Sequence, residues 1–177
     1  MKRTYLYSHI AAFLFIINSC GSSSTMINAK SQQLVNSGKF SFVAEKANPT
    51  NLDVINIMNS LPAGNSARML DLSAGYYVHF SSDEISASLP YFGRMFVANM
   101  DHTKNGIDFK SKSFTINTSK STDKKTVWAV RFNDVQNVRE LFLEVYKNGK
   151  AYVSINANDR QAISYDGHIS ENNDSGK

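Results

Sequence analysis

One cysteine in 177 residues is too few for a disulfide framework, and too few for a zinc site built on several thiolates. Long apolar runs are also scarce. The longest unbroken one, Ile10 to Ile17, holds eight residues and would rise only about 12 Å as a helix, so a multi-span membrane protein is excluded. Strong charge of one sign is missing as well, with 19 basic against 15 acidic residues. At 42% hydrophobic and 19% charged residues, the composition is that of a folded chain and not of a disordered one. No P-loop, no dinucleotide fingerprint and no H-E-x-x-H pattern occurs.

What is present begins with an address. Lys2 and Arg3 precede the apolar run, which is too short to span a bilayer but has the length of a secretory signal core. Ile17-Asn18-Ser19-Cys20 follows, and then Gly21-Ser22-Ser23-Ser24. That arrangement resembles a bacterial lipoprotein signal, in which the cysteine thiol receives a diacylglycerol and cleavage falls just before it. Residues 1–19 are therefore expected to be a signal peptide, and residues 20–28 a lipidated Cys20 with a flexible tether. Acyl chains on Cys20 would hold the protein to a membrane. Removing Lys2 and Arg3 with the signal lowers the net charge from +4 to +2, so the basic balance is partly a targeting feature and no nucleic-acid partner is expected.

Residues 29–170 read as a single β-rich domain, and 171–177 as a frayed tail. Ala29 to Ser37 predicts a short helix with Asn28 as N-cap and Gly38 as stop. Lys39 to Glu45 alternates as a strand, and Thr50-Asn51-Leu52-Asp53 resembles a capping box ahead of a second helix stopped by Pro62. From residue 67 onward the hydrophobic period is two. Tyr76, Val78 and Phe80 share a face, as do Ile85, Ala87 and Leu89. The same holds for Trp128, Val130 and Phe132, for Leu141, Leu143 and Val145, and for Ala151, Val153 and Ile155. Asn148-Gly149 is a strong hairpin signal, with Asn105-Gly106 and Ser73-Ala74-Gly75 as further ones and Thr118 to Lys125 as a polar hairpin loop. About eight or nine strands at meander spacing predict a curled antiparallel sheet or barrel with a short N-terminal helix; a two-sheet sandwich is the alternative.

Candidate chemistry is thin. His79, His102 and His168 form no close pair, and Asp101-His102 fits a solvated loop better than a cation site. Asp71-Leu72-Ser73-Ala74-Gly75 has half of a nucleophile elbow on the wrong flanks. Ser121-Thr122-Asp123-Lys124 matches S-x-x-K in a lysine-rich turn, where the chemistry requires a helix. Lys104, Lys110, Lys112, Lys120, Lys124 and Lys125 read as protection of exposed strand edges more readily than as an anion-binding patch. Asn158-Asp159-Arg160 reads as a turn with a local ion pair. No metal, cofactor or catalytic residue is expected.

Leu89-Pro90-Tyr91-Phe92-Gly93-Arg94 is the most unusual stretch. Two adjacent rings point in different directions, so Tyr91, Phe92 and Arg94 are the candidate contacts to a ligand or partner. The plainer reading has both rings plugging one end of the sheet while Arg94 caps carbonyls or pairs with an acid.

This stretch, the Tyr77-Val78 strand leading to it through Ser82-Asp83, the segment Asn105-Gly106-Ile107-Asp108-Phe109, Asn148-Gly149-Lys150-Ala151 and Ile163-Ser164-Tyr165-Asp166-Gly167 together resemble domain-of-unknown-function family 4251, exported lipoproteins of Bacteroidetes. The resemblance brings no activity and no catalytic residue. In that phylum acidic residues after the lipidated cysteine accompany export to the cell surface. Gly21 to Ser24 has none, which implies an outer-membrane protein facing the periplasm. The expected function is a non-enzymatic module that binds a small apolar ligand or an envelope component. The alternative is a structural or assembly protein that docks a partner through an exposed strand edge or the Tyr91-Phe92 loop.

Overall fold

The computed structural model describes residues 22–61, 68–96, 105–119 and 125–172. Cys20, Pro62, Asp101-His102 and Ser121 to Lys124 lie outside them. Helix α1 runs Ser22–Ser37 and ends at Gly38, as expected. It starts seven residues earlier than Ala29, so most of the stretch expected as a tether is helical. Neither glycine nor proline interrupts it between Ser22 and Ser37. Strand β1 (Phe40–Pro49) follows, and then helix α2 (Leu52–Ser60). The N-cap of α2 is Asn51, whose Oδ1 accepts the Asp53 and Val54 amides. It is not Thr50, whose hydroxyl donates instead to the Ala162 carbonyl.

The remaining strands are β2 (Tyr77–Phe80), β3 (Ile85–Leu89), β4 (Ile107–Ser111), β5 (Phe114–Ser119), β6 (Lys125–Phe132), β7 (Val138–Tyr146), β8 (Lys150–Ala157) and β9 (Ile163–Ser170). They form one sheet in the order β4-β3-β2-β1-β9-β8-β7-β6-β5. The expected curled, barrel-like sheet is what forms, and the first and last strands are neighbours inside it.

Every neighbouring pair is antiparallel, so β4 and β5, at opposite ends of the order, run in the same direction. Only Lys112 and Ser113 separate them. They are two halves of one bent strand, the first pairing with β3 and the second with β6. The bend nearly closes the barrel. It also shifts the alternation: Ile107, Phe109 and Ser111 face inward on β4, and Phe114, opposite buried Phe132, faces inward on β5. Asp134 holds the bend, its carboxylate accepting the Ser111 hydroxyl and the Lys112 and Ser113 amides at 2.8 and 3.0 Å. The Ser111 bond, followed by the Lys112 amide, lowers the Asp134 pKa.

Two of the three expected hairpin turns take other forms. Asn148-Gly149 does join β7 to β8, with the Gly149 amide bonding the Tyr146 carbonyl and Gly149 at φ 79°. Ser73 to Gly75 reverses nothing. Leu70 to Leu72 and then β2 lie antiparallel along the same strand β1, and the three residues loop out between them. Asn105-Gly106 closes no tight hairpin either, because β4 pairs with β3 across the whole span from Pro90 to Gly106.

The interior is filled by the strands' inward side chains, among them Phe40, Phe42, Phe80, Leu89, Leu141 and Ile155, all fully buried. Trp128 packs over Phe40 and Phe80 with ring centroids 5.3 and 5.9 Å away. Val35 joins the core from α1.

Candidate functional site

Tyr91, Phe92 and Arg94 lie where the chain leaves β3 at one end of the barrel. Phe92 is half-buried against the core, and Arg94 is exposed. Tyr91 folds back over Gly93, where a Cβ would stand 2.6 Å from the Tyr91 hydroxyl, so glycine is what lets the ring lie there. That hydroxyl lies 2.9 Å from the Arg94 carbonyl and 3.1 Å from the Gln161 carbonyl. Backbone bonds from Gln161 to Arg94 and from Phe96 to Asp159 fasten the segment to the loop before β9. Burial raises the Tyr91 pKa, against the opposing pull of Arg160.

The carbonyl cap expected of Arg94 is supplied by Arg160. Its side chain is 3% exposed, with Nη1 donating to the Asn105 and Gly106 carbonyls at 3.0 and 2.7 Å. Nε and Nη2 grip both Asp159 oxygens at 3.0 and 2.9 Å, the local ion pair expected of this turn. The guanidinium also sits 5.0 Å from the centre of the Tyr91 ring. Tyr165, fully buried beneath, donates to the Pro90 carbonyl. The Tyr91 and Tyr165 hydroxyls and the Arg160 guanidinium are thus all engaged within the protein. Sequence adjacency pointed to the Asp159-Arg160 pair but not to the two carbonyls more than 50 residues away.

At the opposite end, α1, the β2–β3 turn and residues 171–172 enclose a groove of about 700 Å³, lined by Leu34, Lys39, Asp83, Glu84, Glu171 and Asn172 among others. Its carboxylates are occupied. Glu84 pairs with Lys110 at 2.9 Å, Glu171 with Lys30 at 3.0 Å, and Asp83 accepts the Ser81 hydroxyl. Nearby, Ser41 and His79 Nδ1 are 2.6 Å apart. The Ser41 hydroxyl donates its one proton to Asn172 Oδ1, while the Asn172 amide donates to the Phe80 carbonyl. His79 must then donate to Ser41, the reverse of the direction that activates a nucleophile. His168 contacts Glu45 at 2.8 Å, and no group of three metal-ligating residues converges among the described residues.

The model of the family "Domain of unknown function (DUF4251)" matches residues 23–169. The chain belongs to that family. A crystal structure of a DUF4251 protein from Bacteroides eggerthii matches with a TM-score of 0.54 at 11% identity, covering 85% of this chain and 91% of that one. At that identity the likeness shows the shared fold. No curated protein matches the chain.

One feature of this DUF4251 barrel went unread in the sequence. Strand β5 pairs with β6 and, among the described residues, has no neighbour on its other side. The Asn133 amide bonds the Ser113 carbonyl, so Ser113, and by alternation Thr115, Asn117 and Ser119, direct their backbone groups toward β6. Phe114, Ile116 and Thr118 direct theirs outward. Opposite Phe132, Val130 and Trp128, the same three carry inward-facing side chains. Ile116 is nevertheless 38% exposed, because no described strand covers the place beside it.

Proposed function

We propose that this chain is an envelope lipoprotein of Bacteroidetes, held by acyl chains on Cys20 to the periplasmic face of the outer membrane, whose barrel docks a protein partner by strand addition at β5. The carrying observation is the free edge itself. Exposed edges are normally blunted by charge or proline, and Phe114-Thr115-Ile116-Asn117-Thr118-Ser119 contains neither. Of the described lysines in this part of the chain, Lys110 is on β4, Lys112 in the bend and Lys125 on β6, and none is within β5. The signal pattern around Cys20 supports the address. Docking ranks ahead of an internal apolar ligand because inward side chains occupy the barrel. It ranks ahead of the Tyr91-Phe92 loop because Tyr91 is spent on internal bonds.

Ile116→Pro tests this. Its amide points outward, so proline removes an edge donor without breaking the β5–β6 ladder. A photo-reactive residue at Asn117 should give a specific protein adduct in intact cells that is lost when Ile116→Pro is added. An adduct unaffected by the proline, or none, refutes docking at β5. Separately, Cys20→Ser should abolish acyl labelling and release the protein; unchanged labelling refutes the anchor.

A further inference from the structure

The strand that fits the β5 edge is β5 of a second copy. Resting on the docking reading above, we infer that two chains pair antiparallel through β5 about a two-fold axis at Ile116. Outward-directed residues must oppose outward-directed residues for both backbone partners to bond. Several registers meet that requirement, and the one that pairs all three outward residues places Ile116 against Ile116 of the other copy and Phe114 against Thr118. Three such pairs exchange six backbone hydrogen bonds.

The side chains agree with the register. On the inward face an isoleucine meets an isoleucine and an aromatic meets a β-branched residue, both favourable cross-strand pairs. On the outward face Thr115 meets Asn117, neutral and polar on both sides. A charge at the axis position would meet its own like charge, and this strand has no charge. The added strand lies where Ile116 is uncovered, so self-pairing continues the wall that β5 leaves open. A closed two-fold contact also consumes the edge completely, which stops growth at two.

Six paired residues make a small interface, in the range of transient contacts. Confinement of both anchored chains to one membrane supplies the high effective concentration such a contact needs. The surface is thus matched to a membrane-bound pair.

The register makes the test specific. In the full-length, membrane-resident protein, Ile116→Cys places two thiols across the axis at the roughly 5.5 Å Cα separation of a bonded antiparallel pair, within disulfide reach. Thr118→Cys leaves its two thiols roughly 13 Å apart, beyond it. Mild oxidation should give a reducible dimer with Ile116→Cys, several-fold above Thr118→Cys and the parent chain, and adding Thr118→Pro should abolish it. Equal yields at both positions, or no dimer above the parent, overturn the inference. If the Asn117 cross-linker then captures a different protein in a proline-sensitive way, docking stands and the second copy falls; if it captures nothing, both fall.

Discussion

Replacing Arg160 by methionine keeps the apolar stem and removes the contacts of its guanidinium with Asp159, two carbonyls and the Tyr91 ring. Two carbonyls, of Asn105 and Gly106, lose their donor. Asn105 is exposed and Gly106 half-buried, so each lost bond costs about 1 kcal/mol, the low end for an unsatisfied group. The cation–π contact with Tyr91 adds about 0.5–2 kcal/mol. Asp159, 24% exposed, keeps some access to water, so its share is smaller than for a fully enclosed carboxylate. The expected loss is about 3–5 kcal/mol, the range for breaking one side of a buried ion pair. Arg131, 70% exposed and paired with Glu140, is the internal comparison: Arg131→Met should cost no more than about 1 kcal/mol. Urea unfolding followed by the fluorescence of Trp128, the chain's single tryptophan, measures both. Adding Asp159→Asn to Arg160→Met should recover part of the loss by removing the stranded carboxylate. If Arg160→Met costs no more than Arg131→Met, the assignment of Arg160 as the keystone of this end is wrong.

Gly167→Ala should prevent folding, since a Cβ there would stand 2.0 Å from the Val43 carbonyl oxygen; circular dichroism of the purified variant decides it. The lowered Asp134 pKa stabilises the fold above the carboxyl's unfolded value, and that stability is lost as pH falls through the folded one. Asp134→Asn should therefore flatten the acid side of the stability profile, and an unchanged profile refutes the clamp. Burial raises the Tyr165 pKa far above its ordinary 10.0, so stability should fall as pH rises past about 10 and the unfolded chain ionises. Tyr165→Phe should reduce that alkaline slope and cost about 1–3 kcal/mol at neutral pH by orphaning the Pro90 carbonyl, both read from urea midpoints.

The strands with regular alternation were legible because one face of each is buried. Val78 and Phe80, Ile85 to Leu89, Leu141 to Val145 and Ala151 to Ile155 occupy the inward positions their spacing indicated. The bent strand was not legible. Its alternation slips at Lys112 and Ser113, and its second half faces inward with Phe114, Ile116 and Thr118, a pattern only partly apolar and, past Phe114, exposed. The same interruption hid the free edge. At the candidate site, glycine and two rings in L-P-Y-F-G marked a special backbone, yet which arginine would serve it depended on a fold that brings residues 105, 106 and 160 together. Asn105-Gly106 looked like a turn because that dipeptide tolerates one. Its role is to present two carbonyls to a guanidinium.

The pairing of β1 with β9 orders the events of folding. Except for that one seam, each ladder joins strands adjacent in sequence. Residues 77–111 and 114–170 can therefore zip locally, each as its own meander, as soon as they are free in solution. The seam cannot form until the last strand arrives, because β9 sits between β1 and β8. A chain threaded across a membrane from its N-terminus would hold β1 waiting, its edge bare, through the whole of translocation. Barrel closure is then a single late step, and a chain truncated before Ile163 would leave the edges of β1 and β8 open in addition to that of β5.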